Sequence, residues 1–388
     1  MAVQRKFVQR MSQRKLLFVI TQFYKGGAEV ALLNLLKSLS KEEYEVDFLI
    51  FDQMILETAH SLIPELPEWI TVCNAAEKEG RFAVVKKVWF KVYRKITKRQ
   101  LCRKEAIHFV KDKDYDVAFS YGEWMSPEFV AKRVKAKKKY IWIHTDIDKA
   151  AFVNREILLG YDKEYTGYIY VSENSQKSAE TAFPVLRGKG TVIHNMCDEE
   201  NIAAASKEEP ENQYSRPFLL SVGNLREEKN YPRQMEALRI LHERGINITW
   251  LCVGSTANIF IYQQVKTLSE KYGLQNRFLF LGVDSNPYKY MARAEAVMVL
   301  SDFESWSLVI TEAKLLGTPV IATKTSGALE QIEDGCNGLL TDFEAEAIAD
   351  RIQEYLCDRE LQKKLRENLK GFSLKQKVKQ EFEALLQR

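Results

Sequence analysis

Two α/β domains, each built on a parallel sheet, are what this sequence of 388 residues predicts. Three features carry that reading. Short apolar runs of strand length recur between stretches with helical apolar spacing, the alternation of a βαβ series. A chain of this length exceeds one ordinary core and calls for about two domains. The run 199–217 is polar and charged and holds Pro210 and Pro217, so it reads as the link between them.

Taken in order, the first buried strand spans Lys15 to Ile20 and runs into a loop, Thr21 to Gly27. An amphipathic helix follows from Glu29 to Leu39, with Val30, Leu33 and Leu36 on one face. Gly26 and Gly27 at its start are a phosphate-binding device or simply a turn. Glycines let a backbone come close, and free amides at a helix start favour an anion. Val46 to Phe51 is a second strand, and residues 52–79 show no clear pattern. Asp116 to Ser120, Tyr140 to Ile143, Tyr168 to Val171 and Thr191 to Asn195 complete the first series. The second begins with Phe218 to Val222 and continues with Thr249 to Gly254 and Phe278 to Val283. Helices are expected over Glu344 to Leu369 and Ser373 to Arg388.

Composition excludes several classes. Hydrophobic residues make up 46% and charged ones 28%, an ordinary globular balance. No apolar run reaches the roughly 18 residues of a membrane span. The basic start, Met1 to Lys15, has no apolar core of a signal peptide, and Met11 is a possible natural start. Six scattered cysteines without CxxC pairs read as reduced thiols of a cytoplasmic protein, and no metal site is expected. The Asp146-Ile147-Asp148 run reads as a chance match to a metal–diphosphate motif. Charge is uneven: residues 1–200 carry 33 basic and 27 acidic side chains, the remainder 24 and 26. Ten of the basic residues fall between Arg81 and Lys104, with no acid among them. There Val85, Val88, Trp89, Val92, Tyr93 and Ile96 share a helical face. That pattern predicts an interfacial helix meeting an anionic membrane, or else a solvated surface helix. A second basic cluster, Lys132 to Lys139, adds to it. No nucleic-acid-binding module surrounds either cluster.

The stretch that organises the chain is Ala296 to Leu340. A buried strand, Ala296 to Leu300, leads into a polar loop, Ser301 to Ser307. A helix, Leu308 to Leu316, stops at Gly317 and Pro319, and Val320-Ile321 opens another strand. Ligands of such sheets bind beyond the carboxyl ends of the strands, where this loop lies. Glu304 in the loop and Glu312 in the helix stand eight positions apart, followed by Ser326-Gly327 and Glu330. On these residues the sequence resembles the retaining group 1 (family 4) glycosyltransferases, over most of the chain and most strongly from Phe218 to Leu340.

That resemblance implies the GT-B fold: two Rossmann-like domains facing across a cleft. They would comprise an acceptor domain 1–198, a linker 199–217, a nucleotide-sugar domain 218–370, and a final helix 371–388 packing back on the first. It places Glu304 near the transferred sugar and Glu312 on the ribose, whose two hydroxyls a carboxylate can accept. Ser305-Trp306-Ser307 stands where the family usually has Gly-Phe-Gly, with backbone amides toward sugar and phosphate. In the loop Gly223 to Asn230, Lys229 matches the lysine that holds the diphosphate; Asn224 takes the usual arginine position, and Arg226 is a substitute. Fixed cations there stabilise charge growing on the leaving group. Gly254 lies in a loop flanking the base, Gly26 and Gly27 at the phosphate or acceptor, and His144 near the donor sugar.

The expected activity is transfer of a sugar, with retention and without metal or cofactor, from a nucleotide diphosphate sugar, UDP-linked as first choice. The acceptor would be a glycan or lipid-linked hydroxyl in bacterial surface polysaccharide or glycolipid assembly. The expected setting is cytoplasmic, peripheral on the inner membrane face through Arg81 to Lys104, with no nucleic acid. A nucleotide-sugar epimerase or hydrolase of similar fold and a non-catalytic partner subunit are the alternatives.

Overall fold

The structure is a computed structural model. It describes all residues except 1–12, 54–60, 77–84, 86–87, 90–91, 93–102, 124, 126, 151–152, 212–213 and 215. The chain divides into two compact units. The first holds Met1–Tyr170, Ala179–Ile193 and Glu381–Arg388; the second holds Val171–Ser178 and His194–Gln380.

The first unit is built on seven parallel strands. These are β1 (Arg14–Ile20), β2 (Tyr44–Ile50), β3 (Thr71–Asn74), β4 (Asp114–Tyr121), β5 (Lys135–Ile143), β6 (Gly167–Tyr170) and β7 (Gly190–Val192). Their spatial order is β3-β2-β1-β4-β5-β6-β7. β1 lies inside the sheet, and Leu16 to Ile20 are fully buried, which explains a run of apolar residues without alternation. β3 lies in the stretch where the sequence showed no pattern. Its side chains are partly exposed or half-buried, as suits an edge strand with little apolar signal.

The basic cluster Lys132 to Lys139 is partly engaged within the first unit. Most of it is the first half of β5, and its lysines pair with acids: Lys135 with Asp114 at 2.7 Å, Lys137 with Asp116 at 2.7 Å, and Lys132 with Glu164 at 2.8 Å. Asp114 and Asp116 lie on the adjacent strand β4, so the charges of two neighbouring strands neutralise one another. Three of the cluster's six basic side chains are thus paired with acids, and Lys139 donates to the Ala131 carbonyl at 3.0 Å. Most of the stretch Arg81 to Lys104 lies outside the described residues. Within it Val85, Val88, Trp89 and Val92 are helical and their side chains exposed.

The second unit carries six parallel strands: β8 (Phe218–Val222), β9 (Thr249–Val253), β10 (Phe278–Gly282), β11 (Ala296–Val299), β12 (Val320–Thr323) and β13 (Leu339–Thr341). They are ordered β10-β9-β8-β11-β12-β13. The chain winds outward from β8 to β10, then returns to the other side of β8 with β11. The order therefore reverses between β8 and β11, and a crevice opens at such a reversal beyond the carboxyl ends. Helices Tyr231–Glu243 and Ala345–Cys357 cover one face, where Met235, Leu238, Ile348, Ile352 and Trp250 share a core.

Two boundaries differ from expectation. The stretch read as a linker opens with a helix, Glu199–Ala205, capped by Asp198, whose side chain accepts from the Asn201 amide. The long helix expected over Glu344 to Leu369 is two, Ala345–Cys357 and Arg359–Asn368. Asp358 leaves helical geometry between them and caps the second.

In the final helix, Lys375–Gln387, Phe382 is buried in the first unit. Its ring lies 5.9 Å from Phe119, 6.4 Å from Phe18 and 6.5 Å from Trp142. Phe382→Ala is expected to destabilise the first unit by about 3–5 kcal/mol through the cavity it leaves. Chemical denaturation followed by tryptophan emission would measure the loss.

Candidate functional site

The reversal between β8 and β11 gathers most of the residues singled out in the sequence. The loop after β8 runs from Gly223 to Asn230 and that after β11 from Leu300 to Ser307. The Lys229 ammonium and the Glu304 carboxylate form an ion pair between them, and Ser301 Oγ donates to the same Glu304 oxygen at 3.0 Å. A second tie runs beside the first. Arg233, on the helix after the β8 loop, meets Asp302 at 2.6 Å and donates to the Leu300 carbonyl at 2.7 Å. The Asp302 amide donates to the Glu228 carbonyl at 2.7 Å, and the Asn230 amide group reaches the Asp302 carboxylate at 3.2 Å. Asn230 starts the helix Tyr231–Glu243 in the left-handed region, φ 45°, and caps it through Oδ1 to the Arg233 amide. Asparagine tolerates that conformation better than most residues.

Asn224 and Gly254 brace this loop from the side of β9. Asn224 Oδ1 accepts from the Ser255 amide at 2.9 Å. A Cβ on Gly254 would lie 2.0 Å from the Gly223 carbonyl oxygen, and φ is +152°, so only glycine fits. Arg226 is exposed and pairs with Glu228 at 3.8 Å, not with Glu304.

The loop carrying Glu304 is held from the far side by the helix Ser326–Gln331. The Glu304 carbonyl accepts from the Gly327 amide at 2.7 Å and from Ser326 Oγ at 3.1 Å. Ser305, Trp306 and Ser307 are buried, and a Cβ on Gly327 would touch the Ser305 backbone at 2.7 Å. The Ser-Gly pair of the sequence is thus a close-packing device for the loop.

Glu312 sits half-buried on the helix Leu308–Leu315. The Tyr288 hydroxyl donates to its Oε1 at 3.2 Å. Burial first, and the Glu312 charge second, hold the Tyr288 phenol protonated, so it stays a donor. The Cys197 thiol beside them is likewise pushed up by burial and by Glu312.

In the first unit, the residues expected at a site lie beyond the carboxyl ends of β1 and β5, with β4 between these strands. Gly26 caps the helix Gly27–Ser38 in extended geometry, and a Cβ on it would meet the Glu29 carboxylate at 2.4 Å. Tyr121 donates to the Ala28 carbonyl at 2.9 Å and packs 4.6 Å from the His144 ring. The His144 amide donates to Glu123 Oε2 at 2.8 Å. Burial pushes the Glu123 carboxyl up to about 7, against the lowering effect of that amide and with help from the Glu29 charge. Burial pushes His144 down to about 3, so its ring is neutral. Two acid–base groups with opposite shifts thus lie together.

Glu123, Tyr288, Arg233 and Asp302 were missed in the sequence. Glu123 and Asp302 follow β4 and β11 closely, which is the position signal that could have found them. Nothing local marks Tyr288, because its partner is remote in sequence.

Residues 203–372 match the family described as Glycosyl transferases group 1. Over that stretch, under half of its length, the chain is similar to the group 1 glycosyltransferases. A stretch of 165 residues, 42% of the chain, is 31% identical to a 4-alpha-N-acetylgalactosaminyltransferase acting on a diphospho-undecaprenol-linked sugar in Campylobacter jejuni, and covers 43% of that protein. Another of 183 residues, 45% of the chain, is 28% identical to N-acetyl-alpha-D-glucosaminyl L-malate synthase of Bacillus anthracis and covers 46% of it. The chain thus spans under half the length of these curated relatives. The fold of the whole is GT-B. The crystal structure of Anabaena HepE with UDP and glucose matches at TM-score 0.74 and 21% identity, over 97% of this chain and 100% of that one. Sucrose-phosphate synthase of Thermosynechococcus elongatus matches at 0.68 and 19%, over 97% and 99%. Within the matched stretch the clustered residues are those of the β8–β11 reversal, where the crevice of such a sheet opens.

Glu123 gives a pH test of the first unit. A carboxyl raised in the folded state favours folding through its protonated form. That contribution is whole below pH 4.5 and is lost as pH climbs to about 7. Glu123→Gln keeps an acceptor for the His144 amide without the charge. It is expected to add up to about 3 kcal/mol above pH 7, a gain that vanishes near pH 4.5. Urea titrations of both proteins across that range would read it.

Proposed function

We propose that this protein is a retaining glycosyltransferase that takes a sugar from a UDP-linked donor and passes it to a hydroxyl of a glycan or lipid-linked acceptor. The observation that carries the proposal is the meeting of Lys229 and Glu304 at the β8–β11 reversal, with Glu312 on the helix that follows. Lys229 supplies a fixed cation for a diphosphate leaving group, whose charge grows as the bond to the anomeric carbon breaks. Its present partner, Glu304, exchanges that contact for hydroxyls of the sugar when a donor enters. Glu312 accepts from the ribose diol, and Tyr288 keeps the carboxylate turned toward it. Lys229 does the electrostatic work that other transferases give to a divalent ion, so transfer is expected without metal.

The relatives fit such a reaction: one is named for transfer onto a diphospho-undecaprenol-linked sugar, and HepE is titled with UDP and glucose. A lipid-linked acceptor in polysaccharide or glycolipid assembly explains a basic first half. Among the described residues no helix is long and apolar enough to cross a membrane. Peripheral contact at the inner face, through the exposed side of Val85, Val88, Trp89 and Val92 and the lysines and arginines around them, would bring the enzyme to such an acceptor.

Calorimetry with UDP, GDP and ADP in the presence of EDTA tests the donor site. UDP is expected to bind, about tenfold more weakly to Glu312→Ala and about fivefold more weakly to Tyr288→Phe. The penalty for a 2′-deoxyribose should shrink in both variants. Failure of every nucleotide to bind at millimolar concentration would sink the proposal. For the membrane, co-sedimentation with phosphatidylglycerol vesicles but not with phosphatidylcholine vesicles, weakened by Trp89→Ser, is the expected result.

A further inference from the structure

The sequence singled out Glu330, which does not enter the donor contacts above; its partner is His194, at the end of the stretch Thr191 to Asn195. They lie far apart in the chain and meet in the second unit. His194, just beyond β7, is buried, and its Nε2 lies 3.1 Å from Glu330 Oε1. A carboxylate only accepts, so Nε2 carries the proton. Glu330 accepts two further bonds at 3.1 Å, from the Glu173 and Asn174 amides at the start of the helix Glu173–Ala182. Asn174 in turn donates to the Ser326 carbonyl at 2.9 Å. Burial would raise the Glu330 carboxyl, but the bonds from His194 and the two amides hold it below the usual range. The carboxylate is therefore the fixed end of the arrangement.

The other face of His194 meets the site. Its ring lies 4.4 Å from that of Trp306, tilted by 60°. Trp306 is only 9% exposed, and its indole Nε1 meets no acceptor among the described residues. Contact with its neighbours, not a hydrogen bond of its own, fixes this ring. Trp306 is two residues from Glu304, whose carboxylate the proposed function places on the hydroxyls of the sugar. The helix that carries Glu330 also carries Ser326 and Gly327, which bind the Glu304 carbonyl.

We infer that His194 and Glu330 form a positioning pair that presses the Trp306 ring into place and so sets the loop Glu304–Ser307 for the sugar of the donor. This rests on the proposed function for its substrate, though not for its geometry. His194 touches no substrate in this role; it acts through Trp306. The chemistry it governs is recognition of the glycosyl part, while the nucleotide part is left to Lys229 and Glu312.

The test has two readouts on the full chain. Hydrogen–deuterium exchange without nucleotide comes first. Amides of 301–308 are expected to exchange about tenfold faster in His194→Ala, a loss of ordering on the scale of one buried contact. His194→Phe, which restores an aromatic face, should recover most of the protection. Peptides of β8 and β11 should not change in either variant. Calorimetry with UDP, UDP-glucose and UDP-N-acetylglucosamine follows. In His194→Ala the affinity for UDP should hold within roughly twofold, while the extra affinity that the better UDP-sugar shows over UDP falls about tenfold. Unchanged exchange at 301–308 overturns the inference. So does faster exchange spread equally through β8 and β11, which would make His194 a general core residue. If the wild type binds no nucleotide, the proposed function fails, and the exchange pattern still decides whether the pair positions the loop.

Discussion

The second unit depends on one ion pair at the reversal of its sheet. Lys229 and Glu304 are 75 residues apart in sequence and belong to loops on neighbouring strands. Each alone would be a mobile charged side chain on a surface loop, with little to fix its direction. Together, half-shielded from water, they order one another, and Asp302 ties the same loops again through Arg233, Asn230 and the Glu228 carbonyl. A half-buried pair of this kind adds little net stability, because desolvation offsets most of the attraction. What it adds is register: the two loops can sit only one way. A preformed cation and carboxylate then need no rearrangement of the backbone to meet a charged ligand.

The glycines and the small polar residues around this pair follow from the same demand for closeness. Gly254 lets the loop after β9 touch the Gly223 carbonyl, and Gly327 lets a helix start press on Ser305. Ser305 and Ser307 are both buried. A hydroxyl is small enough for such a seat. The loop keeps its path with serines because Gly327 and Ser326 supply the contacts to the Glu304 carbonyl from outside.

Much of this was legible in the sequence, for physical reasons that differ by element. The central strands β1, β8 and β11 are buried on both faces, so they appear as uninterrupted apolar runs and were placed to within a residue or two. Glu312 stood out as a carboxylate in a largely apolar helix, whereas Glu304 and Lys229 were marked by the family resemblance. β3 was missed, because an edge strand exposes most of its side chains. The ion pairs of Lys135 and Lys137 in β5 were not legible, since their partners Asp114 and Asp116 lie on another strand. Tyr288 escaped for the same reason: its value comes from Glu312, 24 residues away. Sequence patterns report burial and local geometry well. They report long-range pairing only where the fold is already known.

The position of β8 has a consequence for how the molecule is made. This strand gains its partner β9 soon after it leaves the ribosome, but its other edge is completed only by β11, where Leu219 meets Ala296. Until then a largely apolar strand lies open on one side, and neither loop of the Lys229–Glu304 pair has its mate. Parallel pairing cannot be hastened by a tight turn, so the interval is built into the topology. The nascent chain therefore passes through a stage with an exposed sticky edge, and it is this stage, more than the finished protein, that would draw chaperones or aggregate when expression is forced.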